Sequence, residues 1–150
     1  MRCVIQRVIS ASVSSEGKEI SAIKKGMLVL LGIEHDDNKE DVIWLADKIH
    51  QMRIFSDAAD KMNLCLQETE GEILVVSQFT LHASTKKGNR PSFIRSARPE
   101  TAIPLYEAFK EYLFIQTGNQ TKAGIFGADM QVSLVNDGPV TILLDSRNKE

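Results

Sequence analysis

Ser77, Gln78 and Thr80 stand in the run GEILVVSQFTLHAS, where an apolar stretch would otherwise continue, and Phe79 and Leu81 are expected to hold the backbone in the core. Polar groups at such a place need neighbouring backbone partners or a ligand. A nucleophilic Thr80 would need a base within hydrogen-bond reach. His82 is near in sequence, but adjacent strand residues point to opposite faces and nothing nearby supplies an orienting acid. His35 lies in an acidic loop and His50 on a helix, where surface roles are expected.

A second run, LVNDGPVTILL (134–144), sets Asp-Gly-Pro between two apolar segments. Asp-Gly alone would close a hairpin, yet Pro139 removes a backbone donor where the next strand should begin. The motif therefore points to something other than chain reversal. A third stretch, STKKGNRPSFIRSARPE, gathers Lys86, Lys87, Arg90, Arg95 and Arg98, and reads either as a solvated loop or as an RNA contact.

Other chemistries are excluded by their missing motifs. The chain has no Gly-x-Ser-x-Gly elbow, no phosphate-binding Gly-x-x-x-x-Gly-Lys, no Gly-x-Gly-x-x-Gly and no His-Glu-x-x-His. Cys3 and Cys65 lack metal-ligand spacing and read as free thiols, so neither metal nor cofactor is expected. The net charge of -2 argues against broad adhesion to nucleic acid while leaving room for a local basic patch. No apolar run reaches the roughly 18 residues that span a bilayer, and the alternating N-terminus does not resemble a signal peptide. The expectation is a soluble, cytoplasmic protein with no membrane association, and 150 residues fit one domain, 1–150.

The elements that must position these residues follow from periodicity. Residues 2–13 alternate, placing Cys3, Ile5, Ile9, Ala11 and Val13 on one strand face, with Arg7 on that same face in need of acceptors. The run 27–33 is apolar on both faces and reads as a central strand. Asp37 with Glu40 resembles a capping box before a helix carrying Val42, Leu45, Ala46, Ile49 and Met52. A short strand, a turn at Glu70-Gly71 and a second central strand from about Ile73 lead through a polar loop to a helix from Pro99 or Thr101 to Gln116. That helix puts Ala102, Leu105, Tyr106, Phe109 and Leu113 on one face, and Gly118-Asn119 ends it. Two separate strands, MQVSLV and VTILLD, finish the chain before a frayed tail at 146–150. The result is an α/β domain in which two strand–loop–helix units, 27–52 and 73–116, lie between strand-rich ends.

SQFTL (77–81), KGNRPSF (87–93) and VNDGPVTI (135–142), with QRV near the start, closely resemble the D-aminoacyl-tRNA deacylases, in order and over essentially the whole chain. The resemblance implies a homodimer of a single compact domain with a mainly antiparallel, barrel-like sheet, acting on D-aminoacyl-tRNA and possessing no cofactor. It implies a cis Gly138-Pro139 bond that reaches into the partner's active site as a chiral filter, held by Arg7 through the motif's carbonyl groups. With no base found for Thr80, main-chain NH groups around Phe79 and Thr80 are expected to bind the oxyanion, and by the same resemblance the substrate's 2'-hydroxyl assists water. Ser77 and Gln78 shape the adenosine pocket, and Lys86, Lys87 and Arg90 meet tRNA phosphates. The Thr80 side chain as nucleophile is the weaker option, and glycyl-tRNA is a further substrate to test. Two alternatives stand beside this reading: a noncatalytic nucleic-acid-binding module, and a general small-ester hydrolase using Thr80 and His82.

Overall fold

In the computed structural model residues 1–149 are described, Asn119 by its backbone alone, and Glu150 of the tail lies outside them. Strands β1 (Arg2–Ser15), β2 (Lys18–Ile23) and β3 (Gly26–Gly32) lead into helix α1 (Lys39–Gln51). A two-stranded ribbon, β4 (Phe55–Ser56) and β5 (Met62–Leu64), precedes β6 (Glu72–Ser77). Helix α2 (Pro99–Thr117) is followed by β7 (Thr121–Ala123) and the long β8 (Gln131–Asp145).

The main sheet runs β2-β1-β3-β6-β7, with β8 paired along β1. The pairs of β1 are antiparallel, while β3–β6 and β6–β7 are parallel because a helix carries the chain across between their strands. The sheet curls until its two edges meet. Ser21 Oγ donates to the Ala123 carbonyl at 2.8 Å and Lys122 Nζ to the Ala22 carbonyl at 2.7 Å, so side chains bridge the seam of a nearly closed barrel.

Two apolar clusters explain why β3 and β6 lack alternation. Met27, Val29, Ile73 and Val75 face the helices, meeting Leu45 and Ile49 of α1 and Tyr106 and Phe109 of α2. Leu28, Leu74 and Val76 face the barrel interior, with Val8, Ala11 and Val13 of β1. Both faces of these strands are therefore dry. Each helix sends the expected stripe into the core: Val42, Leu45, Ala46 and Ile49 from α1, and Ala102, Tyr106, Phe109 and Leu113 from α2.

β1 and β8 each pass from one cluster to the other. Cys3 and Ile5 belong to the helix side, Val8, Ala11 and Val13 to the barrel side, and the phase changes where the pairing with β8 is irregular, between Gln6 and Ser10. Ile9, expected inside with its alternating neighbours, consequently points to solvent, 58% exposed. In β8 the change falls at Asp137–Val140. Gln6 pairs with Thr141 and Val8 with Asn136, so the single residue Arg7 lies opposite residues 137–140. MQVSLV and VTILLD are thus one strand, both halves antiparallel to β1, and the Asp-Gly-Pro between them is an excursion without chain reversal.

Two further expectations are corrected. Asn38, not Asp37, caps α1: its Oδ1 accepts from Glu40 N at 2.8 Å, and its own NH donates to Asp41 Oδ2 at 2.9 Å. Asp37 instead meets the buried Met1 ammonium at 2.5 Å, since a buried cation requires a carboxylate more than a helix start requires a second cap. The described part of the tail is not frayed. Ser146 is buried, donating to Asp41 Oδ1 at 2.6 Å, while Arg147 Nε reaches Asp37 at 3.2 Å. No helix among the described residues is long and apolar enough to cross a membrane.

Candidate active site

β6 ends at Ser77, and the chain tightens into a 3-10 turn over Phe79–His82. Gln78 N donates to the Leu31 carbonyl at 2.7 Å, the last ladder bond before the turn. The first NH groups of any helical turn lack an internal acceptor. Here those groups belong to Phe79 and Thr80, and neither donates to another described residue. Their peptide carbonyls, in contrast, are both engaged. Gln78 O accepts from Leu81 N at 3.3 Å and Phe79 O from Ser96 Oγ at 2.9 Å. A hydrogen bond at a peptide's carbonyl polarises its NH, so both free donors are strengthened from behind. Arg2 Nη1, donating to the Leu81 carbonyl at 3.0 Å, pins the far end of the turn.

Beside the turn lies a cavity of about 310 Å³. Ser77, Gln78 and Phe79 form one wall, and Phe126, Met130 and Val132 the other. Ala97 and Ala102 leave room between them, and Asp129 is the lone ionisable group on the lining. The lining suits a mostly apolar ligand with a few polar edges. The sequence alone does not mark the segment 126–130 as part of a site, because nothing in GIFGADM resembles a catalytic motif. Its glycines flanking an aromatic residue were the available signal.

Thr80 Oγ1 accepts from Gln78 Nε2 at 2.5 Å and has no base among its hydrogen-bond partners. His82 is turned away. It is 1% exposed, its ring lies against Gly32, and its Nδ1 is 3.0 Å from Glu34 Oε1 without hydrogen-bond alignment. Glu34 is the acid that sequence spacing did not reveal. Burial holds the imidazole below its usual pKa, with the Gly32 backbone and Glu34 carboxylate opposing that shift. The Thr80–His82 pairing of a simple esterase is therefore not assembled.

The Asp137–Val140 excursion is held at its neck and exposed at its tip. Asn136 spans the neck, its Oδ1 accepting from Val140 N at 2.8 Å and its Nδ2 donating to Val140 O at 3.2 Å. Pro139 needs no ladder partner there. Arg7 Nε donates to the Asp137 carbonyl at 3.1 Å and faces the Asp137 carboxylate, while Nη1 donates to the Ile54 carbonyl at 2.6 Å. The odd charge on the apolar face thus sits opposite the extra residues of β8. Gly138 has φ +132°, and a Cβ on it would lie 2.9 Å from Val140 Cγ2 and 3.0 Å from Arg7 Nη2. The Gly138-Pro139 bond is cis. Both residues are exposed, and neither lines the cavity beside Phe79 in the same chain. Lys86, Lys87 and Arg90 are exposed on the loop between the turn and α2, forming no ion pair with another described residue.

A family profile described as D-Tyr-tRNA(Tyr) deacylase matches residues 4–145. A D-aminoacyl-tRNA deacylase of Cytophaga hutchinsonii is 63% identical over 150 residues, and one of Akkermansia muciniphila 62%, each comparison covering 100% of both chains. A solved structure titled c-Myc DNA Unwinding Element Binding Protein superposes with a TM-score of 0.92 at 42% identity, covering 97% of this chain and 98% of that one. A probable eukaryotic D-amino acid tRNA deacylase shares the fold, with a TM-score of 0.85 at 15% identity over 95% of this chain and 97% of the other.

Proposed function

The chain belongs to the D-Tyr-tRNA(Tyr) deacylase family, and from that premise we propose how its residues cleave and select the ester. It is a hydrolase that splits D-aminoacyl-tRNA into free D-amino acid and tRNA, an act of chiral proofreading in translation. The terminal adenosine enters the cavity between Gln78–Phe79 and Phe126–Met130, with Ser77 and Gln78 serving its polar edges. The ester carbonyl oxygen then meets the NH groups of Phe79 and Thr80. As water adds, negative charge develops on that oxygen, and each preorganised donor contributes about 10²- to 10³-fold to such a step. The pair of unspent NH groups on a turn whose carbonyls are already engaged is the observation that carries this reading.

The substrate's own 2'-hydroxyl assists the attacking water. Thr80 is the weaker nucleophile option because its hydroxyl accepts from Gln78 and has no base beside it. Phosphates of the acceptor end meet Lys86, Lys87 and Arg90. The reaction uses no metal or cofactor.

D- and L-esters carry the same groups, so discrimination must come from where the Cα substituents point. A second copy of the chain supplies the wall: its Gly138-Pro139 tip enters the cavity beside Phe79. Support comes from the exposure of that tip, its absence from the cavity of its own chain, and the exposed apolar residues Ile9 and Val135 on the paired strands β1 and β8. The working form is then a homodimer, in the cytoplasm where translation occurs. Glycyl-tRNA has no side chain for the wall to reject and is a further substrate.

Deacylation of matched D- and L-tyrosyl-tRNA tests the proposal. A large preference for the D-ester is expected, and comparable rates on the two would overturn the chiral filter.

A further inference from the structure

We propose that Phe93 and Ile94, beside the exposed ring of Phe79, form a stacking platform for the penultimate base of the tRNA acceptor end. The proposal rests on the deacylase reading and extends it to the nucleotide that follows the adenosine out of the cavity. Ile94 is 83% exposed and Phe79 56%, and the Phe79 and Phe93 rings meet edge to face with centroids 5.1 Å apart. A single exposed isoleucine needs no explanation. This one is held in place by its backbone.

The Ile94 carbonyl accepts from His35 Nε2 at 2.8 Å. On its C-terminal side, Arg95 Nε lies 3.4 Å from Glu34 and Ser96 reaches the Phe79 carbonyl. On its N-terminal side, Ser84 and Ser92 exchange two backbone hydrogen bonds of 2.9 Å each. An apolar tip is thus presented to water on a fixed frame, which reduces the ordering needed when a ligand lands on it.

The order of features follows that of a single RNA strand. The cavity takes the terminal nucleoside, Phe79 stands at its wall, the Phe93–Ile94 tip comes next, and the cations of Lys86, Lys87 and Arg90 occupy the loop closed by the Ser84–Ser92 bridge. Bases leaving a pocket stack on apolar and aromatic faces, while neighbouring cations hold the phosphates. Charge complementarity selects a polyanion over an apolar peptide as the occupant. A stacking face reads no hydrogen-bond pattern, so it tolerates any base but requires one.

The test compares D-tyrosyl-tRNA with D-tyrosyl-adenosine, which lacks the penultimate nucleotide. In Ile94→Ser, kcat/KM on the tRNA should fall about tenfold, mostly through KM, with the adenosine ester unchanged, whereas Ile94→Trp should match or exceed the parent on tRNA. A tRNA abasic at the penultimate position should lower the parent protein by a similar factor and the serine variant no further. Equal losses on both substrates, or an abasic tRNA cleaved by the parent at the full rate, would overturn the platform. Failure of the parent protein to cleave D-tyrosyl-tRNA itself would instead strike the deacylase reading, so the two failures are distinguishable.

Discussion

Two short pieces of main chain carry the proposed site, and they are built in opposite ways. The turn at Phe79–His82 has its carbonyls engaged by Leu81, Ser96 and Arg2 and leaves two NH groups free. The excursion at Asp137–Val140 is gripped at its base by Arg7 and Asn136 and leaves its Gly-Pro tip bare. In the proposed reaction one offers donors where charge develops, and the other offers a surface without side-chain chemistry. The difference teaches a division of labour: damage to the turn should appear in rate, and damage to the excursion in selectivity.

The largest expected effect tests what assists the turn. A tRNA ending in 2'-deoxyadenosine, charged at its 3'-oxygen, should bind nearly normally and react about 10²- to 10⁴-fold more slowly in single-turnover kinetics, the usual worth of acid–base assistance. Thr80→Ala should keep most activity because the Thr80 NH survives. A deoxy substrate cleaved at the normal rate, with Thr80→Ala folded but inactive, would transfer the chemistry to the side chain.

Next in size is the grip on the excursion. Arg7→Ala removes two charge-assisted bonds from a buried position, each worth about 1.5–3 kcal/mol, so a roughly 10- to 100-fold loss in the D-over-L ratio is expected. Circular dichroism and a denaturant titration separate this from unfolding. A folded variant with parental selectivity would remove Arg7 from the filter and break the comparison on that side.

Ser96→Ala should act on the turn alone. Losing the donor at the Phe79 carbonyl weakens the polarisation of the Thr80 NH, and a neutral hydrogen bond of about 0.5–1.5 kcal/mol corresponds to a roughly two- to tenfold drop in kcat. KM and the D-over-L ratio should not move, and Ser96→Thr should restore the rate. A shift in selectivity equal to the shift in rate would show that turn and excursion are one mechanical unit.

Much of the fold behind this proposed division is legible in the sequence. Local periodicity places both helices and the doubly buried strands because their apolar spacing is repeated and local, and SQFTL and NDGPVT mark the two segments proposed for the site. What periodicity missed is long-range. Ile9 departs from the alternation because the phase change in β1 is imposed by the extra residues of β8, some 130 positions away in the chain. Asp37 reads as a cap in the sequence because its partner, the Met1 ammonium, is distant in the chain and meets it only in the fold. Ser96, Glu34 and the 126–130 wall carry no motif, and only the fold brings them to the turn.

The smallest predicted effect concerns acid. His82 closes the turn from inside the protein, and burial lowers its folded-state pKa beneath the ordinary value of 6.5, despite Glu34 nearby. Between the unfolded and folded pKa values the unfolded chain binds more protons, so stability falls as pH drops below about 6.5 and stops falling once the folded-state pKa is passed. Above that window the His82 contribution is fully present. The groups facing the ring include Glu34, Arg2 and the Met1 ammonium, so protonation adds a cation to a site already holding two. The turn should loosen while the excursion, held by Arg7, does not. Lowering the pH from 7 toward 5 should therefore reduce thermal stability and kcat together while leaving the D-over-L ratio fixed, and His82→Leu should flatten this part of the stability profile. A D-over-L ratio that declines in step with kcat, or a stability profile unchanged in His82→Leu, would mean that the turn does not respond to His82 as a separate unit.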